Sequence, residues 1–296
     1  MIICSTLSEL QKHLKSVREL KLKIGFVPTM GALHPGHMSL IQAAKKECDV
    51  VVCSIFVNPT QFNDPRDLEK YPRTLEKDAQ LLQAAGCDLI FAPEVTEMYS
   101  PAEIEQKRLN LEDKTWTEGL HVDFGSLDKV MEGAHRQGHF NGVAQVVSKL
   151  FRMVKPHKSY FGQKDFQQLA IIKSMVKQLG LDTEVVSCPI MREADGLAMS
   201  SRNTRLSPAE REKAPVIYKI LHEASKMQDS ASAEEIRAFV DSQFKLHPEF
   251  NLEYFEISDA ETLLPLKDLK SAKSAVACIA VKLGELRLID NILLYS

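Results

Sequence analysis

The sequence predicts an α/β protein with a doubly wound parallel sheet in its first part and a smaller α+β domain after it. Short apolar runs alternate with helical patterns through the first two thirds of the 296 residues. Such alternation is typical of parallel strands joined by right-handed helical crossovers. After residue 188 helices are followed by strands instead. We therefore predict a Rossmann-like domain over residues 1–188 and a small α+β domain over residues 189–296.

The elements of the first domain follow from period and composition. Apolar runs bounded by turn residues indicate strands, and apolar positions at helical spacing indicate helices. The predicted strands are residues 23–28, 50–57, 89–92, 159–162 and 184–189. The predicted helices are residues 36–46, 75–85, 142–154 and 165–179. Residues 100–128 are charged and weakly patterned, and we interpret them as an insertion or strand-bearing excursion.

The second domain opens with a clear helix start, because Ser207 can cap a helix whose first residue is Pro208. Helices are predicted over residues 208–227 and 232–246, and Ser232 stands three residues before Glu235, the spacing of a capping box. Strands are predicted over residues 252–257, 275–282 and 285–289. Gly284 marks a hairpin turn between the last two strands.

Bulk composition excludes several classes of protein. The chain is 44% hydrophobic and 26% charged, which is ordinary for a soluble globular protein. A net charge of −3 gives no electrostatic argument for nucleic acid or an anionic membrane as partner. There is no signal-peptide pattern at the N-terminus and no apolar run near the roughly 20 residues of a membrane span. Six scattered cysteines are expected to be buried free thiols, so we predict a cytoplasmic protein.

The most informative segment is a Gly-rich turn between strand 23–28 and the next helix. Its residues are Met30, Gly31, Ala32, Leu33, His34, Pro35, Gly36 and His37. Free backbone N–H groups at such a turn, with the helix dipole behind them, bind phosphate, and imidazoles can stabilise its growing charge. We interpret the turn as a triphosphate site. A metal site or an ordinary Pro-Gly bend are the alternatives, but zinc needs further ligands and none lies nearby in sequence.

Two further segments follow strand ends or open a helix. Asn58 and Gln61 carry amides at the end of strand 50–57, suited to a hydroxyl or carboxylate of a substrate. Loop capping is an equally good interpretation from these residues alone. His139 precedes a helix whose apolar stripe (Val143, Val146, Val147, Leu150 and Phe151) is expected in the core.

Lysine, hydroxyl and guanidinium groups mark two later turns. Gly162, Gln163, Lys164 and Asp165 follow a strand, where a lysine would meet phosphate or carboxylate; a solvated lysine is the alternative. Asp165 is a reasonable helix N-cap. The loop from Met191 to Met199 ends in Ser200, Ser201 and Arg202, and such loops contact phosphates. A connecting surface loop is the other interpretation.

Taken together, these motifs resemble one family. Pro28-Thr-Met-Gly-x-Leu-His34-x-Gly-His37, Phe56-Val-Asn-Pro-x-Gln61-Phe, Gly138-His-Phe-x-Gly-Val, Phe161-Gly-x-Lys-Asp165-x-Gln-Gln168 and Asp195-Gly-Leu-Ala-x-Ser-Ser-Arg-Asn203 occur in this order. Over essentially its full length the chain is similar to the pantothenate synthetase family, the pantoate–β-alanine ligases. The His-x-Gly-His element is shared with the wider nucleotidylyltransferase superfamily.

The resemblance implies a two-step reaction. The carboxylate of (R)-pantoate attacks the α-phosphate of ATP, giving pantoyl adenylate and pyrophosphate, and β-alanine then displaces AMP to form pantothenate. It implies Mg²⁺ with the triphosphate, small-molecule partners only, and a homodimer through the first domain, with the second closing over the site.

The resemblance also implies roles for particular residues. His34, His37 and Lys164 are catalytic, and Gln61 and Gln168 hold pantoate. The implied ATP site comprises Met30, Gly31, Ala32, Leu33, His34, Pro35, Gly36, His37, Gly162, Gln163, Lys164, Asp165, Met191, Met199, Ser200, Ser201 and Arg202. Asp78 is a candidate magnesium contact.

One position departs from the family pattern, because Gln163 stands where the family commonly carries Glu. The amide keeps a hydrogen-bond acceptor but loses a charge. Two other classes stay open from the sequence: another nucleotidyltransferase of the superfamily, and a nucleotide sensor without turnover. The first would share the histidines but would have no reason for Gln61 and Gln168.

Overall fold

The computed structural model describes residues 1–63, 65–103 and 122–295, and the chain divides into two compact units. The first comprises Met1–Phe124, Gly133–Gln163 and Gln168–Cys188. The second comprises Gly125–Glu132, Lys164–Gln167 and Pro189–Ser296. Two short segments that we had placed in the first domain thus group with the second unit. Most of the predicted excursion at residues 100–128 falls outside the described residues.

The first unit contains a parallel sheet of six strands in the order β1-β4-β3-β2-β5-β6, which confirms the predicted doubly wound fold. The strands are β1 Ile2–Cys4, β2 Ile24–Thr29, β3 Val50–Ile55, β4 Leu89–Phe91, β5 Lys158–Gly162 and β6 Glu184–Cys188. The helices are α1 Leu7–Glu19, α2 Pro35–Glu47, α3 Pro65–Lys70, α4 Leu75–Ala84, α5 Val95–Met98, α6 Met131–His135, α7 His139–Val154 and α8 Phe166–Gln178.

The strand order reverses beside β2, which pairs in parallel with β3 on one side and β5 on the other. The chain runs from β2 toward β3 in one direction and from β5 toward β6 in the other. Ligands of such sheets bind beyond the carboxyl ends of the strands at this switch point. The fold therefore points to the segments that follow β2, β3 and β5 as the site.

Strand β1 and helix α1 were not predicted. β1 is three residues long, and Ile2 and Ile3 are 43% and 49% exposed, so no apolar run identifies it. The start of α1 did carry a signal. Thr6 and Glu9 form a capping box, in which the Thr6 hydroxyl accepts from the Glu9 N–H at 3.2 Å and the Glu9 carboxylate accepts from the Thr6 N–H at 3.1 Å.

The second unit pairs three helices with an antiparallel sheet of order β7-β8-β9, as predicted for a small α+β domain. Its elements are α9 Pro208–Lys213, α10 Val216–Lys226, α11 Ala233–Lys245, β7 Phe250–Asp259, β8 Ala275–Leu283 and β9 Leu286–Tyr295. Gly284 has φ +57° in the turn where Leu283 pairs with Leu286, so the predicted hairpin is confirmed. Apolar side chains from α10, α11 and the three strands form one buried core.

The single helix predicted over residues 208–227 is wrong, because two helices occupy this stretch. α9 ends at Lys213 and α10 begins after Pro215, which is its N-cap. A proline inside a continuous helix would remove one N–H donor and collide with the carbonyl four residues earlier. Apolar periodicity on both sides of Pro215 masked this break.

All six cysteines lie in the described residues, and each is a buried free thiol, as predicted. Burial raises the pKa of the Cys53 thiol well above its usual range and raises that of Cys87 to about 12. Because the thiolate is the reactive form, these two thiols are inert near neutral pH. No helix in the described ranges has both the length and the apolar character needed to cross a membrane.

Candidate active site

The turn after β2 adopts a backbone that few side chains tolerate. Gly31 and Ala32 have φ values of +83° and +51°, in the left-handed region. A Cβ on Gly31 would lie 3.0 Å from Ile55 Cγ2 and 3.1 Å from Asp78 Oδ2. Glycine at this place therefore satisfies both the backbone angle and the close approach of β3.

Asp78, near the start of α4, fixes the shape of this turn. Its Oδ2 accepts from the Ala32 N–H at 2.9 Å and its Oδ1 from the Leu33 N–H at 2.8 Å. The Thr74 hydroxyl donates to Oδ2 at 3.2 Å, and Asp78 is 1% exposed. A buried carboxylate that accepts three hydrogen bonds is a structural anchor for the turn.

The two histidines cap α2 reciprocally. His34 is the N-cap, and its Nδ1 accepts from the Gly36 N–H at 3.2 Å, while His37 Nδ1 accepts from the His34 N–H at 3.3 Å. The ring centroids are 4.0 Å apart. A ring nitrogen that accepts carries no proton, so in the neutral form both Nε2 atoms carry one and can donate. The cap thus sets two imidazole donors at the positive end of the helix dipole.

The backbone N–H groups of the turn are not all available to phosphate, contrary to the prediction. Several of them donate to acceptors within the chain. The Gly31 N–H donates to Thr29 Oγ1 at 3.2 Å, those of Ala32 and Leu33 to Asp78, and that of Gly36 to His34. The turn therefore uses these N–H groups to hold its own shape, and the histidine rings are further candidate donors to a ligand.

Gln61 ends a short 3₁₀ turn, Pro59–Gln61, after β3. Its side-chain amide is held in place by Asn58. Asn58, 1% exposed, donates from Nδ2 to Gln61 Oε1 at 3.1 Å and to the Gly142 carbonyl at 3.2 Å. The Tyr99 hydroxyl donates to Asn58 Oδ1 at 2.8 Å. The Gln61 oxygen accepts from Asn58, and Nε2 donates one of its two hydrogens to Met30 Sδ at 3.0 Å, so the second hydrogen on Nε2 is the one that can reach a ligand. Gln61 is therefore a donor, suited to a carboxylate or hydroxyl oxygen.

Helix α7 packs closely on this turn, which explains the Gly138-His-Phe-x-Gly-Val motif. A Cβ on Gly142 would lie 2.6 Å from the Thr60 carbonyl oxygen, so only glycine permits the contact. His139, 6% exposed, has Nδ1 2.8 Å from the Gln61 carbonyl oxygen. The apolar stripe of α7 is buried, as predicted. The motif therefore supports the backbone of Gln61, while Asn58 orients its side chain.

The segment after β5 completes the switch-point edge of the first unit. Gly162 ends β5, and the Gln163 N–H donates to the Cys188 carbonyl at 2.8 Å. Gln168 lies in the first turn of α8 and is half-buried. Because β2 is flanked by β3 and β5, their carboxyl ends lie side by side. The histidine cap, Gln61 and Gln163 thus follow neighbouring strands of the first unit.

The other predicted phosphate contacts belong to the second unit. Residues 191–199 form a hairpin, in which the Met199 N–H donates to the Met191 carbonyl at 3.0 Å and the Glu193 N–H to the Leu197 carbonyl at 2.8 Å. A 3₁₀ turn, Ser201–Arg205, follows, with the Ser200 hydroxyl accepting from the Arg202 N–H at 3.2 Å. The sequence indicated only a loop without apolar period here.

Lys164 and its neighbours also lie in the second unit. The Lys164 carbonyl accepts from Asn291 Nδ2 at 2.8 Å. Gln167, 4% exposed, donates to the Leu127 and Val130 carbonyls at 2.6 and 2.8 Å and accepts from the Glu132 N–H at 2.9 Å. These bonds explain why 125–132 and 164–167 group together. Tyr99, Gln167 and Asn291 were not among the predicted site residues, and Asn58, whose amide was a candidate for the substrate, orients Gln61 instead.

Among the described residues, the side chains of the site do not form a set of ligands that could bind Mg²⁺ on their own. Within the described residues, no group of three or more His, Cys, Asp and Glu side chains could hold a metal ion. Both oxygens of Asp78 already accept hydrogen bonds, so its magnesium contact stays a prediction. Mg²⁺ commonly binds through substrate phosphates and water, which requires no such group of side chains.

Comparison with known proteins decides the family. The family model for pantoate-beta-alanine ligase matches residues 2–293. The chain belongs to this family. A pantothenate synthetase from Porphyromonas gingivalis is 49% identical over 292 residues, covering 99% of each chain. The family resemblance of the sequence motifs is therefore confirmed, and the chain is a pantoate–β-alanine ligase that forms pantothenate.

Solved structures of the family agree with the fold. Pantothenate synthetase from Thermus thermophilus superposes with a TM-score of 0.87 at 43% identity and covers 100% of both chains. The pantoate-beta-alanine ligase of Francisella tularensis, complexed with beta-gamma ATP and beta-alanine, gives a TM-score of 0.75 at 35% identity. It covers 99% of this chain and 98% of that one. Ligases of this family thus share both units.

Proposed function

We propose that this ligase condenses (R)-pantoate with β-alanine through a pantoyl adenylate, consuming ATP and releasing AMP and pyrophosphate. The observation that carries the proposal is the reciprocal histidine cap, which places two imidazole N–H donors at the start of α2. Such donors suit a phosphate whose charge grows in the transition state. Membership of the ligase family supports this assignment.

In the first step a pantoate carboxylate oxygen bonds to the α-phosphorus of ATP, and the bond to the bridging oxygen breaks, so pyrophosphate leaves. His34 and His37 donate from Nε2 to the phosphates, and the α2 dipole adds to their effect. Lys164, Ser200, Ser201 and Arg202 contribute charge and hydrogen bonds to the phosphates. Magnesium would be held by the triphosphate, where it supplies charge screening.

Pantoate is held by amides rather than by charges. The Nε2 group of Gln61, fixed by Asn58, donates to a carboxylate or hydroxyl oxygen of pantoate. Gln168 serves the same substrate. Buried amides that recognise a specific oxygen discriminate strongly against analogues that lack it.

In the second step the neutral amine of β-alanine attacks the acyl carbon, the amide bond forms and AMP leaves. Among the described residues, those of the proposed site do not pair a nucleophile with a general base. An adenylating enzyme needs no such pair. Rate enhancement would then come from positioning and charge stabilisation.

The remaining features follow from family resemblance and belong to the proposal. We assign nucleotide and pantoate binding to residues 1–188 and a lid role to residues 189–296. Met30–His37, Gly162–Asp165, Met191, Met199, Ser200, Ser201 and Arg202 supply the ATP contacts. The enzyme works as a cytoplasmic homodimer.

Isotope exchange tests the proposal. Incubation with ATP, Mg²⁺ and pantoate should move labelled pyrophosphate into ATP without β-alanine, because adenylate formation is reversible. Added β-alanine should then release AMP in equal amount to pantothenate. Formation of ADP would indicate an acyl-phosphate ligase, and AMP bound to another acceptor would indicate a nucleotidyltransferase. ATP binding with neither exchange nor products would indicate a sensor.

A further inference from the structure

The last strand contains an unusual polar pair. Asp290 and Asn291 interrupt the apolar sequence of β9, and they are 5% and 2% exposed. A buried carboxylate is costly unless it is paired and hydrogen-bonded. These residues are outside the motifs that assigned the function, so their burial calls for a partner and a reason.

The partner is Arg192, at the base of the 191–199 hairpin. Its Nη1 lies 2.6 Å from Asp290 Oδ2 and its Nη2 lies 3.0 Å from Oδ1, a bidentate pair. The same guanidinium donates to the Gly196 and Asn291 carbonyls, both at 3.2 Å. Its carbon also lies 3.9 Å from the centroid of the Tyr218 ring. Arg192 is therefore held on several sides at once.

Arg192 thereby closes the hairpin that precedes the Ser200–Arg202 segment. Gly196 has φ +94°, and a Cβ there would collide with the Tyr218 ring. The guanidinium spans the hairpin from residue 192 to the Gly196 carbonyl, and Asn203 Nδ2 donates to the Ala198 carbonyl at 3.0 Å. Arg192 thus bonds the hairpin to β9.

Asn291 links the same cluster to Lys164. Its N–H donates to Asp290 Oδ1 at 2.8 Å, and its Nδ2 donates to the Lys164 carbonyl at 2.8 Å. All of these residues belong to the second unit. Two segments that are far apart in sequence, the Lys164 turn and the 191–199 hairpin, are thereby hydrogen-bonded to adjacent residues of one strand.

We propose that Arg192, Asp290 and Asn291 form a buried positioning cluster for adenylation. The cluster fixes the Lys164 turn and the Ser200–Arg202 segment relative to each other. Both segments are then preorganised to bind the triphosphate. The proposal rests on the phosphate roles given to these segments under the proposed function. Displacing a catalytic group by about 1 Å can cost about 100-fold in rate, so such support has a measurable effect.

The principal test is Asn291→Ala, which leaves the Lys164 ammonium unchanged and removes the bond to its carbonyl. We expect the rate of pyrophosphate exchange at saturating substrates to fall about 10- to 100-fold. The KM for pantoate should stay within about twofold, because Gln61 and Gln168 lie in the first unit. Transfer of the pantoyl group from supplied pantoyl adenylate to β-alanine should fall less than exchange does.

A double-mutant cycle separates positioning from general damage. If Asn291 acts through Lys164, then Asn291→Ala should add little to the loss already caused by Lys164→Ala. Arg237→Lys is the matched control: Arg237 is in the same unit, donates to the Ile257 and Leu266 carbonyls, and contacts Glu256. It should change the unfolding temperature without changing exchange.

Different results would contradict the positioning role of the cluster and the proposed function. Exchange absent from the wild-type enzyme would refute the proposed function. Normal exchange in Asn291→Ala, or multiplicative losses in the double mutant, would refute the cluster alone. Should Asn291→Ala fail to fold, Arg192→Lys replaces it, because it keeps the charge and loses the bidentate geometry. Normal exchange in that variant would refute the proposal equally.

Discussion

At the scale of single residues, we propose that His34 and His37 each have two functions on different ring atoms. Nδ1 completes the helix cap, and Nε2 carries the proton proposed to reach phosphate. The sequence indicated the phosphate role from the His-x-Gly-His spacing. It could not indicate that two backbone N–H groups of the turn donate to Asp78, which is 45 residues or more away along the chain.

Substitution of His37 can separate these functions. Asparagine keeps a polar atom near the Nδ1 position but has nothing at Nε2, whereas alanine lacks both. We expect both variants to lose about 100- to 1000-fold in adenylation, roughly 2.7–4 kcal/mol. Only His37→Ala should also lose about 0.5–2 kcal/mol of stability through the cap. Exchange rates and urea unfolding measure the two effects, and a folded His37→Asn enzyme with near-normal exchange would exclude this histidine from the chemistry.

Gln61 offers a similar separation of donor and acceptor. Its oxygen faces Asn58, so Gln61→Glu would replace the ligand-facing N–H donor with an acceptor. We expect Gln61→Glu and Gln61→Ala to weaken pantoate binding about 10-fold or more, roughly 1.4 kcal/mol. ATP affinity should change by less than about twofold. Calorimetric titration with each ligand tests this, and equal losses for pantoate and ATP would instead indicate a general structural role.

At the scale of elements, the turn between β2 and α2 depends on a side chain from α4. Asp78→Asn would turn an accepting oxygen into an NH₂ group facing backbone donors. We expect a loss of about 1–3 kcal/mol of stability for each buried N–H left without an acceptor, and slower exchange. The Mg²⁺ concentration for half-maximal activity should not change. An increase in that concentration, with stability unaltered, would show that Asp78 is a magnesium contact.

A second element-scale feature is the ion network that joins β9 to β7. Arg287 Nε lies 2.6 Å from Glu253 Oε2, and its Nη1 lies 2.6 Å from Glu132 Oε2. Burial raises the pKa of the Glu253 carboxyl, but Arg287 and Lys282 outweigh burial and leave that pKa below its ordinary value. A lowered pKa in the folded state stabilises the protein above the unfolded-state pKa, and the effect is lost as pH falls through the folded-state pKa.

Glu253→Gln should therefore reduce stability most at neutral pH. The difference in the free energy of unfolding between wild type and variant should shrink as pH falls below about 4.3, the ordinary pKa of glutamate. Urea unfolding between neutral and acidic pH measures this difference. The exposed Glu285 provides a control, since Glu285→Gln should give no comparable trend. A constant difference across this range would contradict the electrostatic interpretation.

At the scale of the whole molecule, the sequence predicted both architectures because local signals agree with the fold. Alternating strands and helices indicated the parallel sheet, and Gly284 indicated the terminal hairpin. Three features were missed. The short edge strand β1 has no apolar run, and Pro215 signalled the helix break, although apolar periodicity on both sides of it masked that signal. The supports of the site, Asn58–Tyr99 and Asp290–Asn291, depend on contacts between distant segments. For the second of these supports, a polar Asp-Asn pair within an apolar strand was an available clue.

The central claim is that pantoate is activated as an adenylate, and oxygen transfer tests it most directly. If the carboxylate of pantoate attacks the α-phosphorus, one of its oxygens must remain on AMP when β-alanine forms the amide. Turnover of pantoate labelled with ¹⁸O in the carboxylate should therefore give AMP that carries one ¹⁸O atom and pyrophosphate that carries none, as measured by mass spectrometry. Unlabelled AMP, or label in inorganic phosphate, would contradict the adenylate route.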